Sequence, residues 1–299
     1  MVLELRNIEK SFGEKNVLTG VSFKAEGGKA FGLLGRNGAG KTTSIRILMD
    51  VFPANSGEVL IDGKPIDYNK VGIGYLPEER GLYPKKIIVD QLTYFAELKG
   101  MSRKAAVQAI DYWLDRLGMT EYRSKKLEIL SKGNQQKIQL ITALSHDPDI
   151  IILDEPFSGL DPVNAMLLKD VVKEQIAKGK IVLLSSHQMS YIEEFCDSIA
   201  ILNNGVVALH GDLHDIKRDY PRDRLVVRTE SPDRIKADFS TACSVMENGN
   251  LMIRLSDASE KQAIMTRLVQ NYDIDEVKVF EPSLNDIFVE VAGDLQGEV

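Results

Sequence analysis

The sequence is poor in cysteine: Cys196 and Cys243 are the only two in 299 residues. That excludes a disulfide framework and a cysteine-built zinc site, suits a reducing compartment, and leaves both thiols as ordinary packing residues. Long apolar runs are missing as well. The longest stretches, such as Ile150 to Leu153 and Ile181 to Leu184, are strand-length and fall far short of the ~20 residues that cross a bilayer. The N-terminus, MVLELRNIEK, has no basic region followed by an apolar run, so no secretory signal is expected. Basic charge is in deficit too: 37 Lys and Arg against 44 Asp and Glu give a net charge of -7. A non-specific nucleic-acid binder needs the opposite balance, because it must displace counterions from phosphate. These absences describe a folded chain that stays in the cytosol, with no nucleic-acid partner expected.

The composition is that of an ordinary globular protein, 43% hydrophobic and 27% charged, and the length suggests two domains. From Met1 to about Pro221, strand-like runs alternate with helix-like stretches, the pattern of an α/β fold with a largely parallel sheet. Strands are predicted at Leu3 to Ile8, Val17 to Ala25, Ala30 to Leu34, Val59 to Ile61, Ile150 to Leu153, Ile181 to Ser185 and Ile199 to Leu202. Between residues 84 and 145 the spacing turns helical, at Val89 to Leu98 and Ala105 to Leu117, with Ser102 placed to cap the second helix. This reads as a helical subdomain inserted in the first domain, residues 1–221. Residues 222–299 read as a small α+β domain. It has a hairpin at Asn248-Gly249-Asn250 and a final helix whose Ser283 and Asp286 fit a capping box. Its β-α-β-β-α-β order suggests a ferredoxin-like unit.

Gly35-Arg-Asn37-Gly38-Ala39-Gly40-Lys41-Thr42 follows the apolar run Ala30 to Leu34 and precedes a helix-like stretch opening at Thr43. That context makes it a P-loop, and the fold a P-loop NTPase. The loop's backbone N–H groups and the helix N-terminus close around phosphate oxygens, a cradle for the phosphate chain of a nucleotide. Lys41 can reach the β- and γ-phosphates, and the Thr42 hydroxyl can ligate Mg²⁺. A second motif, Asp149-Ile-Ile-Ile-Leu153-Asp154-Glu155-Pro156, is a buried strand ending in two carboxylates. An isolated Asp-Glu pair is most often a solvated turn. With a P-loop upstream it fits a Walker B element, in which Asp154 holds Mg²⁺ and Glu155 orients and deprotonates the attacking water.

The order of motifs resembles the ATP-binding cassette family. Leu130-Ser131-Lys132-Gly133-Asn134-Gln135-Gln136 is similar to that family's LSGGQ signature, though Lys132 and Asn134 replace the commoner Gly and Gln. The resemblance implies that Ser131 and Gly133 act on the γ-phosphate held by an opposing subunit. It extends through Ser158-Gly159-Leu160-Asp161, similar to the family's D-loop, and Ser186-His187, similar to its switch histidine. His187 would thus be a catalytic residue beside Glu155. Phe12 matches the family's adenine-stacking aromatic. Glu78, in Tyr75-Leu-Pro-Glu78-Glu79, stands where many relatives carry a metal-approaching Gln, and its charge alters the electrostatics of that role.

This loop, the signature and a terminal Glu281-Pro-Ser-Leu-Asn-Asp-Ile-Phe288 resemble a branch of ATPases for sodium efflux, drug resistance and peptide or bacteriocin export. The resemblance implies an ATP-hydrolysing subunit with two partners, an integral-membrane permease and a second cassette, on the cytoplasmic face of the plasma membrane. Two other readings compete. One is a cassette acting on nucleic acid or ribosomes, and such relatives carry a coiled-coil insertion or two cassettes per chain. The other is a nucleotide-dependent regulator without turnover, disfavoured because Glu155 and His187 are both present.

Overall fold

Continuous apolar runs become strands buried on both faces, as a parallel sheet covered on two sides requires. Such runs form β3 (Ala30–Gly35), β7 (Ile150–Asp154) and β8 (Ile181–Ser185), in which every residue is buried. With β6 (Ile73–Leu76), β9 (Ser198–Asn203) and β10 (Val206–Asp212) they make a six-stranded sheet in the order β10-β9-β3-β8-β7-β6. The first in that order pairs antiparallel, and the other five run parallel. This computed structural model describes residues 1–293, apart from Arg80, Gly159, His187, Ser240, Thr241 and Glu247.

A second sheet, antiparallel, has the order β2-β1-β4-β5, from β1 (Val2–Phe12), β2 (Lys15–Glu26), β4 (Ser56–Ile61) and β5 (Lys64–Pro65). Side chains alternate along each parallel strand. Ile150 and Ile152 therefore join Leu3, Leu5, Phe23 and Ile45 of α1 (Lys41–Leu48) in the core between the sheets. Ile151 and Leu153 point the other way, toward Leu140 and Leu144 of α4 (Lys132–Leu144) and Val171 and Val172 of α5 (Pro162–Ala177).

The helical subdomain contains α2 (Ile88–Leu98), α3 (Arg103–Arg116) and α4, within the expected residues 84–145. Ser102 caps α3 by accepting a hydrogen bond from the Ala105 N–H at 3.3 Å. After β8 come α6 (Met189–Phe195) and, past β10, α7 (Leu213–Arg218).

By its contacts the chain divides into residues 1–214 plus the segment from Phe288, and a second unit, Asp215–Ile287. The sequence had suggested a division after Pro221 with everything beyond it in one domain. The second unit holds β11 (Arg224–Arg228), α8 (Pro232–Phe239), β12 (Cys243–Val245), β13 (Leu251–Arg254), α9 (Lys261–Asn271) and β14 (Glu276–Val279). Its antiparallel sheet has the order β12-β13-β11-β14, packed around Leu225, Val227, Ile235, Ile253 and Leu268. This is the ferredoxin-like arrangement expected from the element order. The last helix, α10 (Leu284–Gly293), starts with the predicted capping box: the Asp286 N–H donates to Ser283 Oγ at 3.2 Å, and the Ser283 N–H donates to Asp286 Oδ2 at 2.8 Å.

The two-residue β5 escaped the sequence patterns, and so did two longer strands. β6 is only Ile-Gly-Tyr-Leu, and β10 alternates between half-buried and exposed positions without a fully buried one. A close approach makes the first of them possible. A Cβ on Gly74 would lie 2.0 Å from the Ala143 carbonyl oxygen and 2.8 Å from Pro148 Cγ, so α4 packs directly onto the strand backbone. Gly74→Ala should therefore cost about 1–3 kcal/mol by overpacking, read as a lower urea midpoint. An unchanged midpoint would show that α4 can withdraw freely.

Candidate active site

The parallel strands end on one edge of the sheet, and the loops leaving that edge carry most of the polar residues singled out from the sequence. At the end of β3, Gly40 adopts φ 111° before α1 begins, and a Cβ there would lie 2.5 Å from Leu18 Cδ2. Only glycine fits this turn. The loop and its surroundings enclose a cavity of about 1040 Å³ lined by Gly35, Asn37, Gly38, Gly40, Lys41, Thr42 and Thr43 together with Glu78, Asp154 and Glu155. Three motifs far apart in sequence thus meet in one place.

Lys41 folds back along the loop, its Nζ donating to the Gly35 carbonyl at 2.6 Å. Burial holds its pKa below the ordinary lysine value, opposed by the nearby charges of Glu155, Asp154 and Glu78. Asp154 and Glu155 are each only 6% exposed. Burial raises the Asp154 carboxyl, and the neighbouring Glu155 pushes the same way, while Lys41 and the Tyr75 hydroxyl pull it down. Tyr75 Oη donates to Asp154 Oδ2 at 3.4 Å, and its phenol is pushed up to about 12 by burial and the Asp154 charge. Glu155 turns the chain in the left-handed region, φ 49°, an uncommon state for a non-glycine residue and one that concentrates at functional sites. Its N–H donates to the Ser185 carbonyl at 2.8 Å and its Oε2 accepts from Ser186 Oγ at 3.0 Å. The carboxylate is therefore aimed by the neighbouring strand end. His187, one residue on, lies outside the described residues.

Other predicted residues stand elsewhere. Ala39 is 4% exposed in the core, and its N–H donates to the Arg36 carbonyl at 3.1 Å. Phe12 is 50% exposed, edge-on to Phe52 at 5.5 Å, with Lys10 Nζ 5.3 Å from its ring centre. Ser131 caps α4 by accepting from the Asn134 N–H at 3.3 Å, and Asp161 caps α5 by accepting from the Asn164 N–H at 3.0 Å. A Cβ on Gly133 would sit 3.5 Å from Asn164 Nδ2, so the signature start and the α5 cap share one surface. Ala39, Phe12, Ser131, Gly133 and Asp161 are not among the residues lining the cavity.

Sequence reasoning missed Lys15, Asn16, Val17, Met189, Asn204 and Phe288 in the lining, and the role of Gln139. Gln139 is 5% exposed, and its Nε2 donates to the carbonyls of Pro77 at 3.4 Å and Glu79 at 3.0 Å, fixing the loop that carries Glu78. A buried glutamine on an amphipathic helix was the available signal.

A strand, glycine loop and helix facing paired carboxylates on a parallel sheet define a P-loop nucleotide-binding protein. Comparison with known proteins narrows the class. The family model described as "ABC transporter" matches residues 18–158, and one described as "ATP-binding protein DrrA1-3-like, C-terminal domain" matches residues 211–292. The chain is 40% identical over 296 residues to an uncharacterised ABC transporter ATP-binding protein, YhaQ, of Bacillus subtilis, covering 98% of this chain and 99% of that one. It is 32% identical over 216 residues to the Nod factor export ATP-binding protein I of Burkholderia lata, covering 71% of each. A solved ATP-binding subunit of an ABC transporter superposes with a TM-score of 0.68 at 31% identity, covering 80% of this chain and 99% of that one. The chain belongs to the ABC transporter ATP-binding family. It is the ATP-binding and ATP-hydrolysing subunit of a transporter, built as an ABC cassette with a small second domain.

The buried carboxylates oppose folding of the empty protein. Asp154→Asn should raise the thermal midpoint of nucleotide-free protein in chelator by a few degrees. A lowered midpoint would mean that the Lys41 and Tyr75 contacts already compensate the charge.

Proposed function

We propose that this chain powers export through a separate integral-membrane permease, working as one of two cassettes on the cytoplasmic face of the plasma membrane, with the cavity as its ATP site. The observation that carries the reading is the meeting of Lys41, Asp154 and Glu155 around one cavity at the mouth of a glycine loop. Export is supported by the 32% identical relative named for Nod factor export. The membrane partner follows from the family, since no helix among the described residues is long and apolar enough to cross a membrane.

The P-loop N–H groups and Lys41 bind the phosphates. Lys41 is drawn off the Gly35 carbonyl toward a far stronger charge partner. Thr42 and Asp154, with Glu78 close by, would hold Mg²⁺. One hydroxyl and one buried carboxylate suit an ion that keeps water and phosphate oxygens in its shell. When bound, the ion neutralises charge on the β- and γ-phosphates. Glu155, oriented by Ser186, accepts the proton of the attacking water, and His187 takes the assisting role that the sequence assigns to it. Phe12 stacks on adenine. Ser131, Gly133 and Asp161 complete the site of an opposing cassette, which accounts for their distance from this chain's own cavity.

Glu155→Gln should retain ATP binding and lose at least the ~10²–10⁴-fold in turnover that a positioned general base supplies. An active variant removes Glu155 from that role. Lys41→Ala should weaken ATP binding, measured by equilibrium titration, and unchanged affinity rejects the cavity as the ATP site.

A site shared across a two-fold interface has a sharper signature. Lys41→Ala and Gly133→Asp chains should each be nearly inactive as homodimers. Mixed in equal amounts, half the dimers carry both lesions in one site and an intact second site, restoring roughly a quarter of wild-type ATPase activity. A mixture no more active than its parts, with mixed dimers demonstrated, rejects shared sites that turn over independently.

A further inference from the structure

One residue in the cavity wall comes from an unexpected part of the chain. Phe288, in the terminal segment Glu281 to Phe288, lines the same cavity as Lys41 and Asp154 although it lies far beyond the last cassette motif. It is half-buried on α10 and belongs, by its contacts, with the first unit. Three residues on, the Val291 carbonyl accepts from Asn203 Nδ2 at 3.5 Å, and Asn203 is only 6% exposed. The helix is thus tied to the end of β9.

That location decides which part of a nucleotide Phe288 meets. In the sheet, β9 flanks β3 on one side, while β8 and then β7 lie on the other. Three strand spacings separate the end of β9 from the Asp154-Glu155 end of β7, about 14 Å at the usual interstrand distance. The γ-phosphate must face the carboxylate pair, so the nucleoside extends toward the opposite flank. There the wall is formed by Lys15, Asn16 and Val17 at the start of β2, by Asn204 and by Phe288. The β9–β10 turn packs on that strand start: the Thr19 N–H donates to the Gly205 carbonyl at 2.8 Å. Among the lining residues of this flank, Val17 and Phe288 supply the apolar side chains, and Phe288 the aromatic one.

We propose that Phe288 is a nucleoside-contacting residue of the ATP site, packing its ring against the base or ribose, so that the C-terminal segment completes nucleotide binding. The proposal rests on the reading of the cavity as the ATP site, and the experiment separates the two. Equilibrium binding of ATP and of inorganic tripolyphosphate, which keeps the phosphate chain and lacks the nucleoside, is measured for full-length wild type, Lys41→Ala and Phe288→Ala. Loss of an aromatic contact with a base should weaken ATP binding about tenfold and leave tripolyphosphate binding unchanged, whereas Lys41→Ala weakens both. Equal weakening of both ligands by Phe288→Ala, or no change in either, overturns the proposal. No effect of Lys41→Ala overturns the underlying site instead. If Phe288→Ala fails to fold, Phe288→Trp provides the test, because the chain's one native tryptophan, Trp113, is 5% exposed on α3. The new indole's emission should shift on adding ATP and not on adding tripolyphosphate. An emission indifferent to ATP rejects the contact.

Discussion

Five parallel strands ending on one edge are the constraint on which the rest of the structure depends. Each parallel connection must cross the sheet and return, so every loop leaving the C-terminal edge emerges beside the others whatever its distance in sequence. Gly35, Leu76, Asp154, Ser185 and Asn203 are the last residues of the five. The glycine loop, the loop of Glu78, the carboxylate pair, the serine that aims Glu155 and the turn at Asn204 all hang from that edge. The order β9-β3-β8-β7 then fixes their spacing, with the loop in the middle and the carboxylates to one side.

Burial of charge follows from that placement. Strand ends inside a two-layer core bring Asp154 and Glu155 into surroundings of low polarizability, where Lys41 is itself held below its ordinary pKa. Local rules are broken together here: a non-glycine residue with positive φ, two adjacent buried acids, and a lysine satisfied by a backbone carbonyl. Such violations collect where a fold gives up stability for an activity. The charges are arranged by the protein itself, with Lys41 and the Tyr75 hydroxyl facing Asp154.

What the sequence made legible was local. The P-loop, the fully buried β3, β7 and β8, the Ser102 cap and the Ser283–Asp286 box each lie within a few residues, and each formed as expected. What it hid depends on residues brought together by the fold. Neither the Tyr75 hydroxyl on Asp154 nor the Gln139 amide on Pro77 and Glu79 has a sequence pattern, because the partners lie 60 or more positions apart. β6 was hidden by its glycine and its length, though pairing with β7 makes it part of the sheet. The Phe12 environment was half-legible, since Lys10 at i−2 shares its strand face while Phe52 arrives from elsewhere.

The signature helix shows how such contacts combine. Gln136 and Gln139 are three residues apart on α4 and so face the same way. The first donates to the Pro156 carbonyl at 2.7 Å, directly after Glu155, and the second holds the carbonyls on either side of Glu78. One helix face therefore grips both loops that bring carboxylates to the cavity, and the same helix begins at Ser131 and Gly133 on an exposed surface. A rigid shift of α4 cannot leave both loops in place without breaking these bonds. Since a displacement of about 1 Å is enough to spoil a reacting geometry, the position of the signature surface and the alignment of Glu155 are mechanically one variable.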